Sequence, residues 1–440
     1  MVREQALILL LAVVCPMSAG AAEIGNTEIQ KWPDGKKGAI SLTYDDGSVN
    51  QFKVAMPLMD KYHLPGTFFV ITGEVKGSKY KPKYIGRPFA VVAQEAAKKP
   101  TNRANFLERA GALRASGYEG MGDIHAKIGG TYEAGKPLEA YHLVDEAYAK
   151  IRRGEIKPAS DPEFGVPGPM SWGDFKKMAA RGHEFASHTV SHPYLSTFDD
   201  KNLLYELEKS KAEIKEQLGP RYTFSVEYPY GTEDKRVLER AFHIYPLVRN
   251  WMADKEVEDI IRGDDKDPVS SKKDYVLWQR GALTKTPLFL MKKWVDLTAR
   301  QGNVWLVLVF HGVDGIGWEP EPHQKFEEYF KYIHSKLNDV WVGTFQDVGK
   351  YLRERVSTQV STRVTPQSIR VMPVSKLSHK LYSVPLSLKT YVPSGWENVR
   401  IERKDGKEEV ESASDANGTY VTYKAVPNAG PVTLIKGEAD

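Results

Sequence analysis

The alternating stretch Gly38-Ala-Ile-Ser-Leu-Thr-Tyr44 predicts a strand that stops at Asp45-Asp46-Gly47, where glycine supplies the turn. Apolar residues at helical spacing follow over 50–63 and give way at Pro65-Gly66, after which Thr67-Phe-Phe-Val-Ile-Thr72 reads as a second strand. Strand, helix, strand implies a parallel βαβ unit. From about 77 to 168 this rhythm breaks into charged, alanine-rich segments, predicted as helices at 89–98, 103–116 and 138–153, which we read as a large insertion. The rhythm then resumes with an amphipathic helix at 171–181, a strand at 182–187 and a helix at 203–218. Later strands are expected at 224–228, 276–278 and 304–310. Repeated units of this kind favour a β/α barrel or an open α/β sheet.

Past residue 355 helical spacing disappears. Ser, Thr, Val and Pro dominate, and Pro393-Ser-Gly395, Asp405-Gly406 and Asn417-Gly418 punctuate short alternating segments. A small β-sandwich over 357–440 fits, either binding carbohydrate or packing on the barrel. With 440 residues the chain is long enough for both domains.

At the other end, Arg3 precedes the apolar run Ala6 to Val14 and the small residues Ser18-Ala-Gly-Ala-Ala22, the pattern of a signal peptide over 1–22. The run is well short of the roughly 20 residues that span a bilayer, so no integral membrane segment is expected after cleavage. The sole cysteine, Cys15, lies inside the expected signal peptide, so the mature chain would have no thiol and no disulfide. A secreted or periplasmic protein follows. Lys and Arg number 61 against 57 Asp and Glu, and no basic run stands out, so no nucleic-acid partner is expected.

Asp45-Asp46, His188-Thr-Val-Ser-His192, Tyr228-Pro-Tyr-Gly231 and His311-Gly312 all fall at the carboxyl ends of expected strands. In β/α barrels the loops there surround the active site. Each group taken singly has an ordinary reading: a turn before Gly47, a chance pair among eleven histidines, a plain loop, a core histidine. Together they make a chemical set. His188, His192 and Asp46 can form the two-imidazole, one-carboxylate face that leaves coordination positions open, a donor set that suits Zn²⁺ first and also admits Co²⁺ or Ni²⁺. Asp45 could then act as base and the Tyr230 N–H could donate to a developing oxyanion, with His311 as an acid or a core residue.

In this order, Thr43-Tyr-Asp-Asp-Gly47, His188-Thr-Val-Ser-His192, Glu227-Tyr-Pro-Tyr-Gly231 and Leu308-Val-Phe-His311 resemble the polysaccharide deacetylase family, the NodB-homology carbohydrate esterases of family 4. The resemblance implies a distorted (β/α)7 barrel over 36–355, with Asp45 as base, Asp46, His188 and His192 as metal ligands and His311 as acid. Two departures stand out. Glu227 occupies a place where many members carry the arginine that holds the base, so Arg249 or Arg280 would have to substitute. Trp251 and Asp254 give only the first half of the motif that supplies a partner for His311. The substrate implied is an acetylated polysaccharide or oligosaccharide, with removal of N-acetyl groups from an N-acetylglucosamine-containing glycan as the leading expectation. O-acetyl ester hydrolysis on xylan and noncatalytic carbohydrate binding are the alternatives. His125 and His142, inside the insertion, are read as surface residues.

Overall fold

The structure is a computed structural model that describes residues 22–159, 170–231, 234–281 and 284–437. The expected signal peptide lies outside them except for Ala22, as does the last part of the insertion. The described chain forms two compact units, one comprising residues 31–357 and 377–384, the other residues up to 30, 358–376 and 385 onward.

The larger unit is built on parallel strands: β2 (Gly38–Tyr44), β3 (Gly66–Val70), β4 (Glu184–Ser187), β5 (Ser225–Val226), β6 (Leu247–Val248), β7 (Val257–Ile260), β8 (Tyr275–Gly281), β9 (Val304–Phe310) and β10 (Val340–Val342). Eight of them run in the order β6-β5-β4-β3-β2-β9-β8-β7 as a curled half-barrel, the distorted barrel expected of the NodB type. β2 pairs along one side with β9 and divides its other side between β10 at its start and β3 at its end. The helices are α1 (Met56–Lys61), α2 (Phe89–Ala96), α3 (Phe106–Arg114), α4 (Met121–Glu133), α5 (Pro137–Arg152), α6 (Trp172–Ala179), α7 (Asp200–Leu218), α8 (Lys235–Ile244), α9 (Leu288–Gln301), α10 (His323–His334) and α11 (Phe345–Ser357). A single π-turn, Gln51–Ala55, precedes α1 within the expected 50–63 helix.

Strand side chains alternate between faces, and both faces of this sheet are covered. Ile40, Leu42, Tyr44, Leu306, Leu308 and Phe310 join the helices in one core. Ala39, Trp305, Val307, Val309, Leu277 and Leu247 fill a second, on the opposite face. Continuing that parity, Asp45, His311, Gln279 and Arg249 belong to the second face, and this is what aims them at one point. The inserted helices α2 to α5 have a core of their own, with Phe106, Ile128, Val144 and Tyr148 at its centre. Helix α4 within it was not among the expected helices.

The smaller unit contains β1 (Thr27–Ile29), β11 (Thr358–Val364), β12 (Ser368–Ser375), β13 (Leu386–Tyr391), β14 (Asn398–Arg403), β15 (Gly406–Glu411), β16 (Ala413–Asp415), β17 (Gly418–Ala425) and β18 (Val432–Lys436). They form two antiparallel sheets, β1-β13-β17-β16 and β11-β12-β18-β14-β15. Both Asp405-Gly406 and Asn417-Gly418 sit at hairpins, opposite Arg403 and Asp415 respectively. After the division between 357 and 358, two segments depart from the expected organisation: residues 27–29 add a strand to this unit through pairing with β13, and 377–384 belong to the larger one.

Candidate active site

Five strands each deliver the first residue past their carboxyl end to one cavity of about 600 Å³: Asp45 after β2, His188 after β4, Glu227 after β5, Arg249 after β6 and His311 after β9. Asp46, His192 and Tyr230 join them from the loops that follow. Asp46, His188 and His192 each offer a ligand atom, and these atoms lie within 4.8 Å of one another. Asp46 Oδ1 stands 3.6 Å from His188 Nε2 and 3.4 Å from His192 Nε2. His188 Nδ1 meets the Glu227 carbonyl at 3.0 Å, so Nδ1 carries the proton and Nε2 is left as the ligand atom. The set fits a divalent metal in type, distance and tautomer.

The backbone at the site is strained. Asp46 (φ 74°), Thr189 (φ 66°), His192 (φ 55°) and Tyr230 (φ 64°) all adopt the left-handed conformation that non-glycine residues rarely hold. Surrounding bonds fix the loops that carry them. Glu206, buried on α7, accepts from Val190 N (2.9 Å), Ser191 N (2.8 Å) and Ser191 Oγ (2.7 Å), clamping the turn between the two histidines. Thr72 N and Gly73 N donate to the Thr189 and Val190 carbonyls. A side chain at Gly73 would come within 2.5 Å of the Val190 oxygen, so only glycine permits that approach. Gln51 Nε2 donates to the carbonyls of Asp45 and His311, tying the two strand ends together.

Asp45 is gripped by Arg249. Nη1 donates to Oδ1 and Nη2 to Oδ2, each at 2.6 Å, and Nη1 also reaches Thr43 Oγ1 at 3.0 Å. Arg249 Nη2 lies 3.0 Å from Glu227 Oε1, which accepts from Asn250 Nδ2 at 2.9 Å. Gln279 Nε2 holds the Arg249 carbonyl. His311 Nε2 is 3.4 Å from Asp45 Oδ2, and its ring meets Trp318 edge-on with centroids 4.7 Å apart.

Burial acts on every titratable group here; neighbouring charges overturn it at Asp45, Asp46 and His188 and not at Glu227, His192 and His311. For Asp45 burial pushes the pKa up, but the Arg249 charge and hydrogen bonds, with His311, carry it below the usual carboxylate range. Asp46 is likewise lowered against burial, by its bond to His188 and the neighbouring imidazoles. Burial raises Glu227, which Arg249 only partly offsets. His192 is pushed down to about 4 by burial and by His188, and is neutral as a metal ligand must be. For His188 burial lowers the pKa and is outweighed by Asp46 and Asp45, which raise it. His311 is lowered by burial, with Asp45 and Asp46 pulling the other way.

The structure therefore brings Asp45, Asp46, His188, His192, Tyr230, Arg249 and His311 together. It does not bring Arg280. That side chain lies over the Trp278 ring and donates to the carbonyls of Ile261, Asp264, Gln279 and Lys266. The reason is parity: Gln279 faces the site, so Arg280 points to the other side of the sheet. Asp254 is also elsewhere, paired with Arg353. His142 is exposed as expected, but His125 is buried, and its Nε2 accepts from Tyr194 N at 3.1 Å.

The polysaccharide deacetylase family model matches residues 33–100 and 143–243. This chain carries a polysaccharide deacetylase domain. The match includes Asp45, Asp46, His188, His192 and Tyr230, skips 101–142 in the inserted helices, and stops short of Arg249 and His311. A gellan lyase from Bacillus sp is 24% identical over 289 residues, 62% of this chain and 11% of that protein. The chain spans about a tenth of the length of that curated relative. Among solved structures, Bacillus subtilis PdaA, a family 4 carbohydrate esterase, is 14% identical, with 75% of this chain and 84% of that chain covered and a TM-score of 0.32. The Xyl-CE4 domain of a multidomain xylanase from the hindgut metagenome of Trinervitermes trinervoides is 12% identical, with 71% and 89% covered and a TM-score of 0.32. Among the described residues no helix is long and apolar enough to cross a membrane.

Proposed function

We propose that this deacetylase domain is a metal-dependent hydrolase that removes acetyl groups from an extracytoplasmic polysaccharide, with N-deacetylation of an N-acetylglucosamine-containing glycan as its reaction. The observation that carries the reading is the adjacency of two sets: Asp46, His188 and His192 with ligand atoms within 4.8 Å, and Asp45 held by Arg249 with His311 3.4 Å away.

Asp46, His188 and His192 would hold the ion, Zn²⁺ by donor type. When bound there, it supplies Lewis-acid polarisation of the acetyl carbonyl and acidification of a water. Asp45, kept ionised by Arg249, would take the proton from the attacking water. Arg249 keeps both Asp45 oxygens oriented through the proton transfer. The Tyr230 N–H donates to the oxygen that gains charge as the carbonyl carbon becomes tetrahedral. His311 donates a proton to the departing sugar nitrogen, and acetate leaves. His311 is ready to cycle because burial lowers its pKa while the Asp45 and Asp46 charges stabilise its protonated form.

Acetate release from acetylated chitooligosaccharides, peptidoglycan fragments and acetylated xylan tests this. Release from the first two supports N-deacetylation, release from xylan alone assigns an ester substrate, and glycan retention without acetate from any of them would leave a binding protein.

A further inference from the structure

The inserted helices have no part in the chemistry just described, yet they hold the loop that carries His192 through several hydrogen bonds. Arg114, at the end of α3, donates from Nη2 to the Ser191 carbonyl at 3.1 Å. From α4, His125 Nε2 accepts from Tyr194 N and Glu133 Oε1 accepts from Ser196 Oγ at 2.5 Å. Gly129, one turn beyond His125, gives up a side chain so that the Tyr194 ring can lie against the helix: a Cβ there would come within 2.1 Å of Tyr194 Cγ. Tyr194 stacks on Tyr230, with centroids 3.9 Å apart and planes 6° from parallel. Tyr230 in turn meets the His192 ring at 4.7 Å. The order is thus helix α4, Tyr194, Tyr230, His192.

We infer that the insertion is the buttress of the active site, and that Tyr194, seated on Gly129, is a positioning residue holding Tyr230 and His192 in their working geometry. Physically, Tyr230 and His192 are two of the left-handed residues at the site, and such backbone persists only where its surroundings over-determine it. Flat rings stacked between a helix and an imidazole do that for both at once. Tyr194 touches neither ion nor acetyl group in this scheme.

The inference rests on the proposed metal site and oxyanion donor, so its test reads metal binding as well as turnover. Zn²⁺ affinity by competition with a chromophoric chelator, kcat, KM and the thermal unfolding midpoint would be measured for wild type, Tyr194→Phe, Tyr194→Ala and Gly129→Ala. Tyr194→Phe keeps the flat ring and should stay within about twofold of wild type in affinity and kcat. Tyr194→Ala and Gly129→Ala should weaken Zn²⁺ binding and lower kcat by about tenfold or more, the range seen when groups that orient metal ligands are lost, with KM moving far less. If Tyr194→Ala does not fold, Tyr194→Leu replaces it, having bulk without a flat face, and the same losses are expected. Folded Ala or Leu variants with wild-type affinity and kcat would overturn the inference while leaving the deacetylase reading intact. A wild-type chain that neither takes up Zn²⁺ nor releases acetate would overturn that reading, and the inference with it.

Discussion

Arg249 closes both oxygens of Asp45 with hydrogen bonds of 2.6 Å, from a strand end 204 residues away in the chain. Its Nη2 is shared with Glu227, so one buried guanidinium faces two buried carboxylates. Removing it leaves both uncompensated. Arg249→Met should cost about 3–5 kcal/mol of stability, the range for breaking a buried pair, and abolish turnover. The double variant Arg249→Met, Glu227→Gln should recover part of the stability, though not the activity. Thermal and urea unfolding of wild type, Arg249→Met, Glu227→Gln and the double variant beside acetate release checks this; an additive double variant would mean that Glu227 and Arg249 are not coupled.

That relationship also marks where the sequence stops speaking. Placing Asp45, His188, Tyr230 and His311 at strand ends needed only the alternation before them and the apolar run of β9. Arg249 and Arg280 both sit near strand ends and were not distinguished, although the parity of Tyr275, Leu277 and Gln279 on the site face puts Arg280 on the other. Arg249 could not be found by the same rule, because β6 is two residues long and shows no alternation to read. Glu227, noted only as a departure, proves to be the second partner of that arginine. The burial of His125 follows from tertiary packing of α4 on the Tyr194 loop, which the helical spacing of the insertion does not encode. Pairing of residues 27–29 with β13, more than 350 positions onward, is equally invisible in a short polar segment.

The clamp on the histidine loop gives a second expectation. Glu206→Ala removes the acceptor for two buried backbone N–H groups and the Ser191 hydroxyl. Unsatisfied buried donors cost about 1–3 kcal/mol each. The variant should unfold at lower temperature and bind Zn²⁺ about 10–100-fold more weakly. Glu206→Gln keeps one acceptor oxygen and should fall between the two. Equal Zn²⁺ affinity in all three would show that the loop does not depend on the clamp.

Deeper in the barrel, Glu184 accepts from Thr67 Oγ1 (2.9 Å), Gln346 N (3.0 Å) and Ser225 Oγ, at the amino end of α11. Burial raises its pKa to about 7, against the pull of those donors. The folded chain therefore holds a proton that the unfolded chain releases near the ordinary glutamate value. Its contribution is fully present below the unfolded pKa and is lost as pH rises through about 7. Asp259 and Glu354 are also raised to about 7 by burial, so the difference between wild type and Glu184→Gln is what isolates this group. Stability measured by urea unfolding between pH 4.5 and 8 should fall less steeply with pH in Glu184→Gln than in wild type. Parallel curves would mean that the three donors keep Glu184 ionised throughout.

Chelation should separate chemistry from fold. Stripping the ion from Asp46, His188 and His192 should abolish acetate release and lower the unfolding midpoint, since the ion binds the folded chain. Zn²⁺ should restore both, with Co²⁺ or Ni²⁺ restoring activity in part. His188→Ala should behave as the stripped chain does and not respond to added metal.

The deacetylase mechanism stands or falls on acetate release from the glycan panel by Zn²⁺-loaded wild type beside Zn²⁺-loaded Asp45→Asn. Wild type should release acetate from an N-acetylglucosamine-containing glycan, and the variant about 10²–10⁴-fold more slowly, with metal still bound in both. Undiminished release by Asp45→Asn, or a wild-type chain that takes up no metal, would contradict it.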